Sequence, residues 1–305
     1  QGEVLYVGKA SNLRSRVRSY FGTNESRTKV GSLLKLMQGI EYIQTPDLLT
    51  AEVLELRIIG RLRPRYNHAG TRTAKYCYVR LTTEEEWPRL MVSKTPSAKG
   101  ICIGPISTRN MATEVVDAIE SVIPLRRCTV RMGRKYVAPD GAPVCSAARL
   151  GLAQCPCSGT AEPESYAIAV QQAANALTGK STDVIEALTI RMNAHSEAQR
   201  YEEAAYLRDR IQTFETVLRR QKQAEKLCSQ GKFTVSFDNI VYEVDNGVLA
   251  STRNADQLFM PLASLSKQVH EAIVVPNGVH DEHGMLRSDA MDEVLCIAKF
   301  LEAQQ

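Results

Sequence analysis

A short apolar run passes through a single glycine into a helix crowded with arginines, and that junction most restricts what this chain can fold into. The residues are Leu5-Tyr6-Val7-Gly8-Lys9-Ala10-Ser11-Asn12-Leu13-Arg14-Ser15-Arg16-Val17-Arg18-Ser19-Tyr20-Phe21. Residues 3–7 read as a strand that Gly8 ends. Ser11 reads as the N-cap of a helix to about Tyr20, with Leu13, Val17 and Tyr20 on one stripe. Gly8 lets the backbone turn close beside a ligand. The helix N-terminus and Lys9 then present positive potential where a phosphate could sit. A strand feeding straight into a cationic helix predicts an α+β arrangement with an anion-binding corner.

The rest of the chain extends this class. A helix is expected at 33–39, a strand at 40–44, and a helix capped by Thr50 that stops near Leu62, ahead of Pro64. Strand-like runs follow at 76–81, 89–93 and 100–103, then an amphipathic helix at 111–123 with Val115, Ile119 and Val122 aligned. Residues 158–164 read as a linker. From 165 to 226 the pattern is helical with a break near Gly179, and the short connection between 184–198 and 202–223 predicts an antiparallel helical hairpin. The end of the chain shows strand-like runs at 233–237 and 240–244, an Asn246-Gly247 turn signal and a helix near 290–302. With 305 residues, more than one core is expected. The divisions are 1–82, a small sheet with helices; 83–160, a strand-rich extension with a cysteine cluster; 165–228, the helical region; and 229–305, a short α/β region.

Charge is distributed unevenly. The chain has 38 Lys and Arg against 34 Asp and Glu; residues 1–135 hold 23 against 12, which leaves 15 against 22 for the remainder. A basic half points to a polyanion, and nucleic acid is favoured over a solvated surface without a partner. No apolar run is long enough to cross a bilayer and no signal-peptide pattern opens the chain, so no membrane is expected and a cytoplasmic protein is the default. Four of the eight cysteines fall close together as Cys128-x16-Cys145-x9-Cys155-Pro156-Cys157. In a reducing compartment such a cluster reads as metal-binding, for iron–sulfur or zinc, or as free buried thiols.

The run from Leu5 to Phe21 resembles the YIG half of the GIY-YIG nuclease motif in its UvrC-type form. The resemblance continues through Arg63-Pro64-Arg65-Tyr66-Asn67, Gly104-Pro105, the cysteine region and a UVR-like hairpin at Arg200-Tyr201-Glu202-Glu203-Ala204-Ala205-Tyr206-Leu207-Arg208-Asp209-Arg210-Ile211. It covers roughly residues 1–220 in the family's order, and ordered motifs seldom coincide by chance. It implies one-metal phosphodiester hydrolysis: a structure-specific DNA endonuclease making a single nick in nucleotide excision repair. Glu55 matches the residue that holds Mg²⁺ (or Mn²⁺), with an ion pair to Lys9 or Arg16 as the alternative for a carboxylate beside an apolar stripe. Tyr6 would be the general base, assisted by Lys9; Arg16 would face the scissile phosphate; Tyr20 and Asn67 match supporting positions. Singly, Tyr6 could be a core tyrosine, Tyr20 a packing residue and Asn67 a turn former.

The same resemblance implies DNA contacts from Arg14, Arg18, Arg63 and Arg65, on double-stranded DNA carrying a lesion, nick or bubble. It implies docking of a UvrB-type helicase subunit on the hairpin stripe that includes Ala205, Leu207, Ile211 and Phe214. It makes Cys128, Cys145, Cys155 and Cys157 the possible ligands of a 4Fe–4S cluster. Cys155 is shifted by two from the family spacing, and Arg57 stands where the family has Asn. The Gly-(Ile/Val)-Tyr strand expected about ten residues upstream of Tyr6 is outside this sequence. The shortened form is similar to relatives fused behind a DnaQ-like exonuclease domain. Two other readings stay open: a non-catalytic repair adaptor, and a redox- or iron-sensing DNA binder built on the cysteines.

Overall fold

The computed structural model of the chain describes residues 2–21, 28–67, 76–130, 132, 136, 141, 144–158, 161–254, 265–276 and 278–304. In order, the elements are α1 (Leu13–Tyr20), α2 (Thr28–Leu36), α3 (Leu48–Leu62), β1 (Cys77–Leu81), β2 (Leu90–Ser93), β3 (Ile101–Ile106) and α4 (Arg109–Val122). Then come α5 (Ser146–Arg149), α6 (Pro163–Leu177), α7 (Asp183–Glu197), α8 (Tyr201–Ser229), β4 (Lys232–Phe237), β5 (Ile240–Asp245), β6 (Val248–Asn254), α9 (Lys267–Ala272) and α10 (Ser288–Ala303). The class is α+β, helices with small antiparallel sheets, as the sequence predicts. Two compact units form: Gln1–Ala74 with Gln223–Val279 and Arg287–Gln305, and Lys75–Lys222 with His280–Leu286.

In the first unit, α3 is the central helix, packed against α9 and α10. Its N-cap is Asp47, which accepts from the Thr50 N–H, so Thr50 is the capped residue and not the cap. Likewise Asn12, not Ser11, caps α1 by accepting from the Ser15 N–H. Helix α2 precedes the expected 33–39 by several residues. Residues 3–7 and 40–44 belong to no described strand, because a strand needs a ladder partner. The backbone groups of the first segment go elsewhere: the Tyr66 N–H donates to the Leu5 carbonyl and the Asn67 amide bonds both groups of Val7. The apolar contacts are Ile58, Val269 and Ala272, with Val4, Val7, Ile43 and Leu62 against them.

The same unit contains the antiparallel meander β4-β5-β6. Asn246 and Gly247 are both at positive φ, 49° and 88°, the geometry a two-residue hairpin with right-twisted strands requires. A Cβ on Gly247 would lie 2.9 Å from the Cys228 sulfur, so glycine is needed on space as well. Strand β6 was not foreseen. Its Val248 and Leu249 are both buried, beside a register shift at Glu243/Val244, which breaks the alternation a sequence reading relies on.

In the second unit, β2-β1-β3 is antiparallel and α4 covers it, capped by Thr108. Val79, Leu81, Val115, Ile119, Leu177, Leu188 and Phe214 form one core with α6, α7 and α8. Arg126 has no exposed surface; it donates to the carbonyls of Trp87, Cys128 and Val130 and pairs with Glu85. Of the expected linker 158–164, residues 159 and 160 lie outside the described residues, and Pro163 already opens α6. Helices α7 and α8 are antiparallel: only residues 198–200 join them, and a Cβ on Gly179, just before α7, would sit 3.8 Å from Leu218 on α8. Among the described residues no helix is long and apolar enough to cross a membrane.

Candidate active site

The predicted residues Tyr6, Lys9, Arg16, Tyr20 and Glu55 come together where the Tyr6–Lys9 segment passes α1 and α3. The Tyr20 hydroxyl donates to the Tyr6 oxygen at 3.2 Å, with the rings edge to face at 5.9 Å. The Arg16 guanidinium lies 5.1 Å from the Tyr20 ring centroid, a cation–π distance, with the Tyr6 side chain close by. The Tyr6 side chain is the main reason the guanidinium is held above its ordinary value. Burial, then the Tyr6 hydroxyl, pushes the Tyr20 phenol up to about 12, so Tyr20 stays a neutral donor. Arg16 and Tyr20 share this face because they are one helical turn apart.

Gly8 sets the Tyr6 ring. A Cβ there would lie 2.8 Å from the Tyr6 hydroxyl and 2.9 Å from a ring carbon, so the phenol folds back over Gly8 and an added methyl would displace it. The glycine expected to admit a ligand therefore first admits the side chain two residues before it.

Glu55 is half-buried on α3. Burial raises its carboxyl above the ordinary range; the Lys9 charge, the Lys9 backbone N–H and the Arg16 charge oppose this without cancelling it, and Glu52 adds to it. The Lys9 ammonium pairs with Glu52 at 2.7 Å rather than with Glu55. Glu52 went unnoticed in the sequence, although Glu-x-x-Glu on one helix places two carboxylates a turn apart. Arg57, the departure from the family pattern, is buried on the other side of α3. The Asn67 side chain accepts from the Val7 N–H at 2.9 Å and donates to the Val7 carbonyl at 2.8 Å, acting as a one-residue strand partner.

The residues at Glu55 are compatible with a hydrated divalent cation. Among the described residues no three His, Cys, Asp or Glu side chains converge to close a metal cage. Mg²⁺ does not need one; it keeps most of its waters and takes one or two carboxylates. A half-buried carboxylate whose burial is only partly offset by its neighbours fits such an ion. Arg14, Arg18, Arg63 and Arg65 are all exposed.

The other predicted sets lie in the second unit. The Cys145 and Cys155 sulfurs are 3.5 Å apart, near the roughly 3.8 Å edge of a tetrahedral zinc–thiolate site. The Cys155 thiol is pushed up to about 12, by burial first and then by Cys145, Cys157 and Cys128, which marks all four as neighbours without a common closed centre. Arg126 donates towards the Cys128 sulfur at 3.6 Å. On the hairpin, Ile211 and Phe214 are buried in the core of their own unit, so they are not docking residues, and Leu207 is packed against the same core. Ala205 is partly buried. Arg210 is buried between Glu114 and Asp117 of α4. The hairpin's exposed apolar residues are instead Ile190, Tyr201 and Tyr206.

Three family models match in the same order. The UvrC-like GIY-YIG domain matches residues 1–68, the UvrC/Cho excinuclease middle domain 76–176 and the UvrB/uvrC motif 182–217. The chain belongs to the UvrC family. The UvrABC system protein C of Clostridium novyi (strain NT) is 34% identical over 225 residues, 72% of this chain and 35% of that protein. Those of Clostridioides difficile (strain 630) and Desulforudis audaxviator (strain MP104C) are 33% and 35% identical over 221 and 222 residues, covering 72% of this chain and 36% and 35% of theirs. The chain thus spans about a third of the length of these UvrC relatives. No solved structure gives a significant match.

Proposed function

We propose that this chain carries the GIY-YIG nuclease centre of a UvrC-type repair protein, one that makes a single Mg²⁺-dependent nick in lesion-bearing, nicked or bubble DNA in the cytoplasm. The observation that carries this reading is the convergence of Tyr6, Arg16 and Tyr20 beside a half-buried Glu55 whose desolvation its neighbours leave only partly offset. Glu55 would hold the ion, which supplies Lewis-acid charge to the phosphate and the leaving oxygen. The Tyr6 oxygen would take the proton of the attacking water. It would do so as the phenolate, whose negative charge the Tyr20 hydroxyl and the nearby Arg16 guanidinium stabilise and which is lost as the proton arrives. Arg16 also offers its charge to the scissile phosphate, and exposed Arg14, Arg18, Arg63 and Arg65 neutralise flanking phosphates. Lys9, tethered to Glu52, adds positive potential at the same corner.

Cys128, Cys145, Cys155 and Cys157 are proposed to hold an iron–sulfur cluster or zinc, and the α7–α8 hairpin to dock a UvrB-type subunit through Ile190, Tyr201 and Tyr206. Cleavage of a bubble duplex with Mg²⁺ tests the central reading. Cutting that is lost in Glu55→Ala supports the enzyme. Tight DNA binding with no cutting, unchanged by Glu55→Ala, would leave the non-catalytic adaptor.

A further inference from the structure

Helix α3 has two working faces. Glu55 and Arg57 are two residues apart, about 200° around a helix of 3.6 residues per turn, so they point in nearly opposite directions. Nothing in the proposed reaction uses the Arg57 side. It is nevertheless the most heavily bonded face of the helix. Arg57 and Glu293 of α10 form a buried bidentate pair, with Nε to Oε2 at 3.0 Å and Nη2 to Oε1 at 2.6 Å. Arg57 also donates to the carbonyls of Leu249 on β6, at 2.7 Å, and Ile273 at the end of α9, at 3.3 Å. The Leu249 N–H donates back to Glu293 at 2.9 Å, which closes the network. On either side along α3, Thr50 donates to Thr252 at 3.2 Å and Arg61 to the Ala272 carbonyl at 2.9 Å.

A buried ion pair is a poor source of stability, because an apolar pair of similar volume often does as well. What the fork geometry does supply is orientation: it fixes both rotation and axial position of the helix that bears it. Side-chain tips lie on a cylinder of about 5–6 Å radius, so rotating α3 by about 20° would carry the Glu55 carboxylate through about 2 Å. Displacements of about 1 Å are enough to disable a catalytic site.

We propose that Arg57 and Glu293 are positioning residues: through them, the segment from β4 to α10 locks helix α3 and so aims Glu55 at its cation. This rests on the metal reading of Glu55 given above. In the full chain, Arg57→Met with Glu293→Leu removes the fork while keeping the volume apolar and free of unpaired charge. The expected result is a thermal midpoint within a few degrees of the parent and a calorimetric Mn²⁺ dissociation constant raised roughly 10- to 100-fold. A folded double variant with the parental dissociation constant would overturn the lock. Should that variant not fold, Arg57→Lys keeps the charge but loses the fork; the same weakening is expected, and parental Mn²⁺ affinity again overturns the idea. A parent chain whose Mn²⁺ binding is absent, or insensitive to Glu55→Ala, would refute the cation reading and not the lock. The lock would then be decided by hydrogen exchange: faster exchange of the α3 amides around Val53–Ile59 in the variant supports it, and parental rates refute it.

Discussion

Gly8→Ala isolates the role of one methyl group. The added Cβ would lie 2.8 Å from the Tyr6 hydroxyl, and ordinary contact begins near 3.4 Å, so one of the two must retreat by about 0.6 Å. The end of the tyrosine ring yields more easily than the backbone, so the phenol moves. The Tyr20–Tyr6 bond is already 3.2 Å long, and a further 0.6 Å takes it past any useful hydrogen bond. Losing one partly exposed bond costs about 0.5–1.5 kcal/mol, so the unfolding midpoint should move by only a few degrees. The rate should fall much further, about 10- to 100-fold, because a base displaced by a large fraction of an ångström no longer faces its proton. Single-turnover cleavage of a labelled bubble duplex measures this. Nuclear magnetic resonance of labelled tyrosine gives a readout free of activity: with Tyr6 withdrawn, Tyr20 should titrate below its present value of about 12. Parental cleavage together with an unchanged Tyr20 titration would refute the idea that Gly8 exists to seat Tyr6.

Other perturbations test separate parts. Asn67→Ala removes both bonds to Val7 and should cost about 1–3 kcal/mol of stability, with faster amide exchange at Val7 as the local sign. Because burial holds Glu55 above the ordinary carboxylate range, Mn²⁺ binding should fall away at a pH above that range as the carboxylate takes up its proton; loss only at ordinary carboxylate pH would contradict the burial. Glu120 of α4 is pushed up to about 7 by burial, against the opposing charge of Arg127. Its folded-state value is raised, so its contribution is fully present below the ordinary carboxylate value and is lost as pH rises towards 7, by about 3 kcal/mol. Denaturant unfolding of Glu120→Gln should lack that decline.

The sequence made the local parts of the site readable and left the distant ones hidden. Tyr6, Gly8, Lys9, Arg16 and Tyr20 lie within fifteen residues, where strand, turn and helix periodicity determine which side chains can meet. Glu55 could be singled out because a carboxylate beside an apolar stripe is itself an anomaly. Glu293 could not: its partner Arg57 is 236 residues away, and no periodicity in either helix specifies the other. The hairpin shows a different limit. Its apolar stripe was evident, but a stripe does not reveal what covers it, and Ile211 and Phe214 proved to face the core of their own unit. Residues 3–7 show a third, since strand character depends on a neighbour's ladder and not on the segment alone.

The diversion of Lys9 connects these findings. Had the lysine paired with Glu55, that carboxylate would be neutralised, and a divalent ion would have to break the pair before binding. Glu52 takes the ammonium instead, at 2.7 Å, and Glu55 keeps partial burial and a raised proton affinity, conditions that a cation relieves. Removing Glu52 should therefore harm the metal site in two ways, by deleting a nearby negative charge and by releasing Lys9 to compete. A close pair at a protein surface is worth up to about 4 kcal/mol at an effective dielectric of 20, and exposure reduces this to about 1 kcal/mol, so Glu52→Gln should weaken Mn²⁺ binding roughly fivefold. The second substitution separates the two causes. If the freed lysine is the competitor, Lys9→Met added to Glu52→Gln restores most of the affinity. If affinity stays low in the double variant, Glu52 acts through its own charge, and the lysine was never a rival for Glu55.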